Sequence, residues 1–346
     1  MRRILTVLEV KSMAKRTAAA VLICLLMSAW MLSGCGALPL ERNLSSIGGD
    51  NAASLQPEKQ SQLQNTYTLY FGYTGQNYLV AEQRTLSIAD GKQVEAEVVR
   101  ALINGPAGKS GEIQPLINAQ TRVLSVTSNK DYIYITLSKE FLEPVNMPSN
   151  WQEDEALTSQ VYLKRRLAVY SIVNTVTELG KFSRVQLLVD VNGTGEGQRP
   201  TRQMMGFVDD GTDPQQLMEP LMRENQLILG PSTMMELVLT AFGNKEWKKI
   251  DGYIAVEDPN VVARPDSAAM IAALSMANLT LLSHTVEGEQ VAIDGQSAVV
   301  TVSYEVQSRD GSRFSNAHVP LRMIRENGLW KVSYYSIYQL LDGVQS

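Results

Sequence analysis

The chain has 346 residues, of which 44% are hydrophobic and 19% are charged, and its formal net charge is −5. This composition is typical of a globular rather than a disordered protein. The acidic balance argues against nucleic acid as a partner, because phosphate backbones repel an acidic surface. Its two cysteines, Cys24 and Cys35, lie near the amino terminus. The remainder therefore has neither a disulfide scaffold nor a thiolate metal site.

The amino-terminal segment has the organisation of a secretory signal peptide. Lys15 and Arg16 precede a mostly apolar run of sixteen residues that ends at Leu32. A basic region followed by a short apolar run and small residues is typical of such signals. A transmembrane anchor is the alternative, although sixteen residues are short for a span of about 20. The pattern is already complete from Met13, so the true start is Met1 or Met13.

The end of the apolar run resembles the bacterial lipobox, through the sequence Leu32-Ser33-Gly34-Cys35. The resemblance implies that a lipoprotein signal peptidase recognises the three residues before the cysteine, and that the Cys35 thiol takes a diacylglycerol before cleavage. We therefore expect a signal peptide over residues 1–34 and a lipid anchor on the extracytoplasmic face of the cell membrane. Without residues 1–34 the chain keeps 26 basic and 35 acidic residues, a net charge of −9.

Residues 35–65 are predicted to be a flexible tether. They are rich in Gly, Ser, Asn and Gln and show no sustained hydrophobic period. A flexible coil of about thirty residues spans roughly 30 Å, which would hold the folded part away from the membrane surface.

Residues 66–208 show alternating strand and helix patterns. Strands are predicted at 67–73, 78–88, 122–127, 132–137 and 184–191, and the segment 202–208 is a candidate partner strand for the last of these. Helices are predicted within 92–105 and 154–180, because Gly105 and Gly180 suit the position after a helix end. Acidic residues 153–155 favour the amino-terminal dipole of the second helix. This order predicts an α+β fold, or an α/β sandwich with helices on one face.

The same segment resembles the GerMN (sporulation and spore germination) domain. The order and spacing of several elements carry the resemblance: Leu69-Tyr70-Phe71, Glu82 to Arg84, Leu102 to Pro106, Thr136-Leu137-Ser138 followed by Phe141, Ile172 to Leu179, and Val185 to Asp190. The family implies an extracytoplasmic, often lipid-anchored domain related to the ring-building motifs of spore-envelope complexes, with no enzymatic activity. The spore germination protein carries two such domains in tandem, whereas this chain shows one.

Two features of this domain are candidate binding sites for a ligand or a partner. The glycines of "DVNGTGEG", residues 190–197, are a candidate phosphate loop, but no helix follows them. Asp190, Asn192 and Gly195 also resemble the start of a calcium loop, although Thr201 stands where a bidentate Glu is needed. A hairpin turn is the simpler interpretation. The basic run 164–166 is predicted to be a solvated helix face, with anionic lipid or an acidic partner as the alternative.

A polar linker over residues 209–229 precedes a second predicted domain at 230–342. Thr233 and Glu236 resemble a capping box at the start of a first helix. Further helices are predicted at 244–254 and 266–273, followed by four or five strands. Asp310-Gly311 and Asn327-Gly328 predict hairpin turns, and the pairs Met204-Met205, Met234-Met235 and Tyr334-Tyr335 predict core and sheet-face positions.

This second pattern resembles the NTF2-like superfamily through Ala298 to Tyr304, Val319 to Ile324 and Gly328 to Val332. The resemblance implies three helices packed into a curved antiparallel sheet. That superfamily contains isomerases and dehydratases as well as binding domains, so it does not fix a function. The candidate acids and bases of an enzyme with this fold are His284, His318, Asp251 and Asp258.

No catalytic set, cofactor site or metal site is predicted. The chain lacks GxSxG, HExxH and Walker patterns, and two histidines are too few for a zinc set without specific carboxylate partners. The sequence therefore predicts a non-enzymatic lipoprotein that binds an envelope protein in sporulation, germination or cell-envelope assembly. The alternative is a small-molecule-binding protein or an enzyme that uses the cavity of the NTF2-like domain.

Overall fold

The computed structural model describes residues 62–108, 111–208, 211–258, 264–277 and 279–342. The chain divides into two compact units, Met1–Pro57 and Glu58–Ser346, and all of the described residues belong to the second. This unit mixes helices and sheets, which confirms the predicted α+β class.

The first part of the unit contains two three-stranded sheets and two helices. The sheet orders are β2-β1-β3 and β4-β5-β6, with β5 and β6 parallel and the other pairs antiparallel. The elements are β1 (Gln62–Tyr73), β2 (Leu79–Ala89), α1 (Val94–Ile103), β3 (Ile113–Gln114), β4 (Val123–Asn129), β5 (Tyr132–Ser138), α2 (Glu155–Glu178) and β6 (Arg184–Asp190). The predicted order of long elements is confirmed, and β3 is additional. Residues 62–65, predicted as tether, belong to β1.

Local sequence signals explain where the two helices begin and end. The Asp154 carboxylate accepts hydrogen bonds from the backbone N–H groups of Ala156 (2.8 Å) and Leu157 (3.1 Å), so it caps the start of α2. After α1 and α2, respectively, Gly105 (φ 85°) and Gly180 (φ 72°) take the left-handed conformation. The predictions for these helix ends are confirmed.

The core of this part lies among both helices and both sheets. Each helix contacts strands of the two sheets, so the predicted single sandwich is in fact two separate sheets that share the same helices. The packed side chains are nearly inaccessible to solvent, and they include Leu69, Phe71, Val98, Leu102, Ile133, Ile135, Ile172 and Val189. Burial of each such side chain contributes about 1.5–3 kcal/mol to folding.

Polar residues of α2 replace a missing strand beside β1. The short β3 pairs with β1 only at Gly72 and Tyr73, so the backbone of Tyr70 has no strand partner on that side. The Tyr70 N–H instead donates to Thr175 Oγ1 (3.1 Å), and the Ser171 hydroxyl donates to the Tyr70 carbonyl. Both hydroxyl residues are buried, as expected for polar groups whose hydrogen bonds are satisfied.

The segment 202–208 is not a strand, so that prediction is wrong. Gln203–Met205 form one 3-10 turn that ends at Gly206 (φ 83°). The edge of β6 instead forms isolated bridges, from Val189 to Gln198 and from Val185 to Leu221. Leu221 belongs to the predicted linker, and so does Met218, which is 3% exposed in the core. The described part of the linker therefore lies against the first part of the unit.

The second part of the unit has three helices followed by a four-stranded antiparallel meander in the order β10-β9-β8-β7, as predicted. The elements are α3 (Pro231–Gly243), α4 (Trp247–Tyr253), α5 (Ser267–Met276), β7 (Thr280–Val291), β8 (Ser297–Gln307), β9 (Arg313–Glu326), β10 (Leu329–Val332) and α6 (Tyr334–Asp342). Both predicted hairpin turns are present, with positive φ at Gly311, Asn327 and Gly328.

Two local predictions in this part are wrong. α3 begins at Pro231 rather than at a Thr233 capping box, and its Ser232 N–H donates to the Glu289 carboxylate of β7 (2.6 Å). The cap therefore comes from a distant strand. Tyr334 and Tyr335 do not lie on a sheet face but begin α6, where Tyr335 is 50% exposed.

The hairpin β1–β2 connects the two parts of the unit. Tyr73 and Val80 belong to the same core cluster as helices α3 to α5 and strands β8 to β10. The buried Lys331 of β10 donates to Glu112 Oε1 and to the Gly252 carbonyl, each at 2.5 Å. Because Glu112 immediately precedes β3, this ion pair links β10 to the first sheet.

Candidate functional site

The predicted lipidation site lies outside the described residues. This holds for Cys35, for the recognition residues Leu32, Ser33 and Gly34, and for the signal peptide 1–34. Within the ranges that the structure describes, no helix combines the length and the apolarity needed to cross a membrane.

The segment 190–197 forms a closed turn around the carboxylate of Asp190. The backbone N–H groups of Thr194 (2.9 Å) and Gly195 (2.8 Å) donate to its two oxygens. Burial raises the pKa of Asp190, but backbone hydrogen bonds from Gly195, Thr194 and Gly193 outweigh it and lower the pKa below its ordinary value. The carboxylate therefore stabilises the turn as an anion.

The glycines of this segment have structural roles. Gly193 and Gly195 have positive φ. A Cβ at Gly197 would overlap the methyl group of Thr136 and come within 3.0 Å of Leu188 Cβ, so only glycine lets the chain pass this close to the sheet. The Val189–Gln198 bridge closes the turn, and the next helical element is only the 3-10 turn at 203–205. The geometry agrees with the hairpin interpretation and provides no helix amino terminus for a phosphate.

The two histidines lie on opposite faces of the second-part sheet. His284 pairs with the buried Tyr304 and places Nε2 3.0 Å from Glu236 Oε2 of α3. His318 has φ 55°, its side chain is 78% exposed, and its Nδ1 lies 2.6 Å from Glu287 Oε2. Ser303 lies between the buried Val302 and Tyr304, so its side chain is on the outer face. Its hydroxyl donates to the same Glu287 carboxylate that His318 contacts, so the His318 side chain is on the outer face as well. The structure does not bring the histidines together.

The candidate acids Asp251 and Asp258 are also held in structural contacts. Asp251 pairs with Arg264, which is 9% exposed and also donates to the Ile254 carbonyl (2.8 Å). Asp258 accepts a hydrogen bond from the Ser333 hydroxyl (2.7 Å) and lies 3.9 Å from Arg322. Neither carboxylate faces a histidine. Among the described residues, no group of three His, Cys, Asp or Glu side chains is placed to hold a metal ion.

The concave face of the second-part sheet is filled by side chains. Its core residues are at most 5% exposed and pack against helices α3 to α5, and they are Val300, Val302, Tyr304, Leu321 and Met323. A cavity of about 480 Å³ lies at one end of the sheet, where Arg322, Ile324 and Glu326 contribute to its lining. The described residues that line it do not include His284 or Asp258, so the predicted acid–base candidates do not form a pocket there.

The basic run 164–166 is half-buried rather than solvated. Arg165 donates to the backbone carbonyls of Met204 (3.3 Å) and Leu142, and its guanidinium lies 6.0 Å from the centre of the Trp151 ring. The Arg166 guanidinium lies 5.5 Å from the centre of the Phe207 ring. Burial lowers the pKa of Arg165. The prediction of a solvated face is therefore wrong for the two arginines.

This basic helix face borders a small cavity that sequence reasoning did not find. Gln114 of β3 and the loop residue Asn146 line the cavity together with Lys164 and Arg165. Gln114 and Asn146 are distant in sequence from the helix, and the local signal was the uninterrupted basic run at 164–166.

Comparison with known proteins finds a family match for one region of the chain. Residues 68–194 match the family model of Germane, described as sporulation and spore germination. No curated protein matches the chain in sequence.

Three solved structures are similar to parts of the chain. The tandem GerMN domains of the sporulation protein GerM from Bacillus subtilis align over 56% of this chain and 58% of that chain, with 16% identity and a TM-score of 0.32. The first GerMN domain of that protein aligns over 46% of this chain and 98% of its own, with 18% identity and a TM-score of 0.28. A putative lipoprotein from Clostridium perfringens aligns over 48% and 93%, with 21% identity and a TM-score of 0.25. The chain thus spans little more than half of the tandem structure. Within residues 68–194, it carries a Germane (GerMN) domain related to sporulation and germination.

Proposed function

We propose that this protein is a lipoprotein of the extracytoplasmic face of the cell membrane, and that it binds another envelope protein during sporulation or germination. The match of residues 68–194 to the sporulation and spore germination family carries this proposal. The sequence Leu32-Ser33-Gly34-Cys35 supports the lipid anchor, because an aliphatic residue and two small residues precede the cysteine. The absence of cysteine after Cys35 suits an oxidising compartment.

The role that we propose is non-enzymatic. Each candidate acid or base of the second part has a structural partner: His284 with Glu236, His318 with Glu287, Asp251 with Arg264, and Asp258 with Ser333. A general acid or base needs a free position beside a substrate, and the filled concave face leaves these groups without a shared cavity. We further propose an NTF2-like origin for the second part, supported by its three helices followed by a four-stranded meander.

The anchor is tested by comparing Cys35→Ala with Cys24→Ala, since both remove a thiol from the amino-terminal region. In membrane fractionation, only the Cys35 variant should appear in the soluble fraction or as the unprocessed precursor. Mass spectrometry of the protein without substitutions should find a diacylated Cys35 as the first residue. An intact amino terminus with a free Cys35 thiol would refute the anchor.

The cellular role is tested by deleting the gene and restoring either the complete chain or the Cys35→Ala chain. We expect a defect in spore formation or germination that the complete chain corrects and the variant does not. Cells without the gene that sporulate, germinate and assemble their envelope normally would contradict the proposed role.

A further inference from the structure

A partly enclosed cavity of about 30 Å³ lies between α2 and two other segments of the first part, residues 114–116 and 141–146. Its apolar lining includes Leu116, Phe141 of a 3-10 turn, and Val161 of α2. Lys164 and Arg165 line it one turn further along the same helix. A space of this size holds about one or two waters, or a single charged group such as a carboxylate.

Arg165 brings a charge to this cavity that forms no ion pair with a carboxylate of the described residues. Its two hydrogen bonds go to backbone carbonyls, so three of the five guanidinium N–H groups remain for another acceptor. The centre of the Trp151 ring lies 6.0 Å from the guanidinium carbon, at the outer limit of a cation–π contact. Among the ion pairs of the described residues, none involves Arg165 or Lys164.

A half-buried cation without a counter-charge is unfavourable, because burial removes part of its hydration and only neutral backbone carbonyls take the place of the lost water. The lowered pKa of Arg165 has the same cause, since burial disfavours the charged form. An anion in the cavity would offset the desolvation cost of Arg165, because it would accept charge-assisted hydrogen bonds from the guanidinium. The Glu143 carboxylate also lines the cavity, and it would oppose such an anion by like-charge repulsion.

We infer that this cavity binds the carboxylate of an acidic side chain from a partner protein, held by Lys164 and Arg165. The planar guanidinium matches a carboxylate, and the apolar lining suits the methylene groups of a Glu side chain. Because the chain carries a net negative charge of −5, this pair of basic residues is a distinct point of charge complementarity for an acidic group. The inference rests on the interaction role proposed above and names the chemistry of the partner.

The test uses the full chain in an uncharged detergent and two small probes, N-acetylglutamate amide and N-acetylglutamine amide. Saturation-transfer NMR should show saturable binding of the Glu probe and none of the uncharged Gln probe. Lys164→Gln should weaken binding by up to about fivefold, since an exposed ion pair contributes up to about 1 kcal/mol. Lys92→Gln removes the same charge elsewhere and should leave binding unchanged. Glu143→Gln should strengthen it.

Arg165→Gln should abolish binding, and circular dichroism would establish whether that variant folds; if it does not, the Lys164 and Glu143 variants still decide. Equal binding of the two probes, or equal effects of Lys164→Gln and Lys92→Gln, would overturn the site. Binding of inorganic phosphate without binding of the Glu probe would overturn the protein carboxylate in favour of a phosphate ligand. Because the probes act without a membrane partner, failure here would leave the lipid anchor and the sporulation phenotype to their own tests.

Discussion

Replacement of Gly206 by alanine should destabilise the first part of the unit strongly. Gly206 has φ 83°, and a Cβ there would overlap the carbonyl oxygen of Tyr162 and come within 3.0 Å of the Arg166 nitrogen. A left-handed conformation costs an alanine about 1–2 kcal/mol, and overpacking adds about 1–3 kcal/mol. Because the colliding atoms belong to the backbone of α2, they cannot turn aside as a side chain would. We expect a total loss of about 2–5 kcal/mol.

Gly193→Ala is the matched control, since Gly193 has φ 72° and no atom within 4 Å of its Cβ position. It should lose only the conformational term of about 1–2 kcal/mol. Urea denaturation followed by circular dichroism measures both variants against the unchanged protein. Equal losses in the two variants would refute the argument that close approach to α2, rather than backbone conformation, makes Gly206 necessary.

Three further outcomes are expected. Asn174→Ala should lower the free energy of unfolding by about 1–3 kcal/mol, measured by urea denaturation, because the fully buried Asn174 amide bonds both the N–H (2.9 Å) and the carbonyl (3.0 Å) of Glu224. An unchanged midpoint of urea denaturation would show that water replaces the hydrogen bonds of the Asn174 side chain. Asp190→Asn should be less stable than the unchanged protein at pH 7, and the difference should shrink as the pH falls below about 4. The lowered pKa of Asp190 gives this sign: its stabilisation is present above the unfolded pKa and is lost as the pH falls through the folded one. A difference that stays constant with pH would contradict it. In a double-mutant cycle of thermal stability, Lys331→Met and Glu112→Gln should show a coupling on the order of 1 kcal/mol; additive effects would mean that the ion pair adds nothing.

The elements that sequence predicts well are those whose signals are local. The capping Asp154 and the glycines after α1 and α2 fix the helix ends through contacts within a few residues. Alternating apolar residues in β8 likewise match its burial, because one face packs and the other is solvated. These patterns need no knowledge of the rest of the fold.

The predictions that failed depend on distant contacts. Glu236 resembled a capping residue, but the Ser232 N–H at the start of α3 donates to Glu289, 57 residues further along the chain. Glu236 binds His284 instead. The segment 202–208 has strand-forming residues, but Gly206 packs on α2 and ends a 3-10 turn. Arg165 resembled a surface residue because its burial depends on the loops around Leu142 and Met204.

The hydroxyl groups of α2 beside β1 also bear on how this protein avoids association through its sheets. An edge strand with free backbone groups is a template for another chain. At Tyr70, Thr175 and Ser171 occupy the N–H and carbonyl that an incoming strand would need. Because Ser171 and Thr175 are buried, α2 itself covers this stretch of the edge, and removal of either hydroxyl would leave a buried backbone group of Tyr70 without a partner. The helix therefore closes this stretch of β1 to other strands by burial as well as by hydrogen bonding.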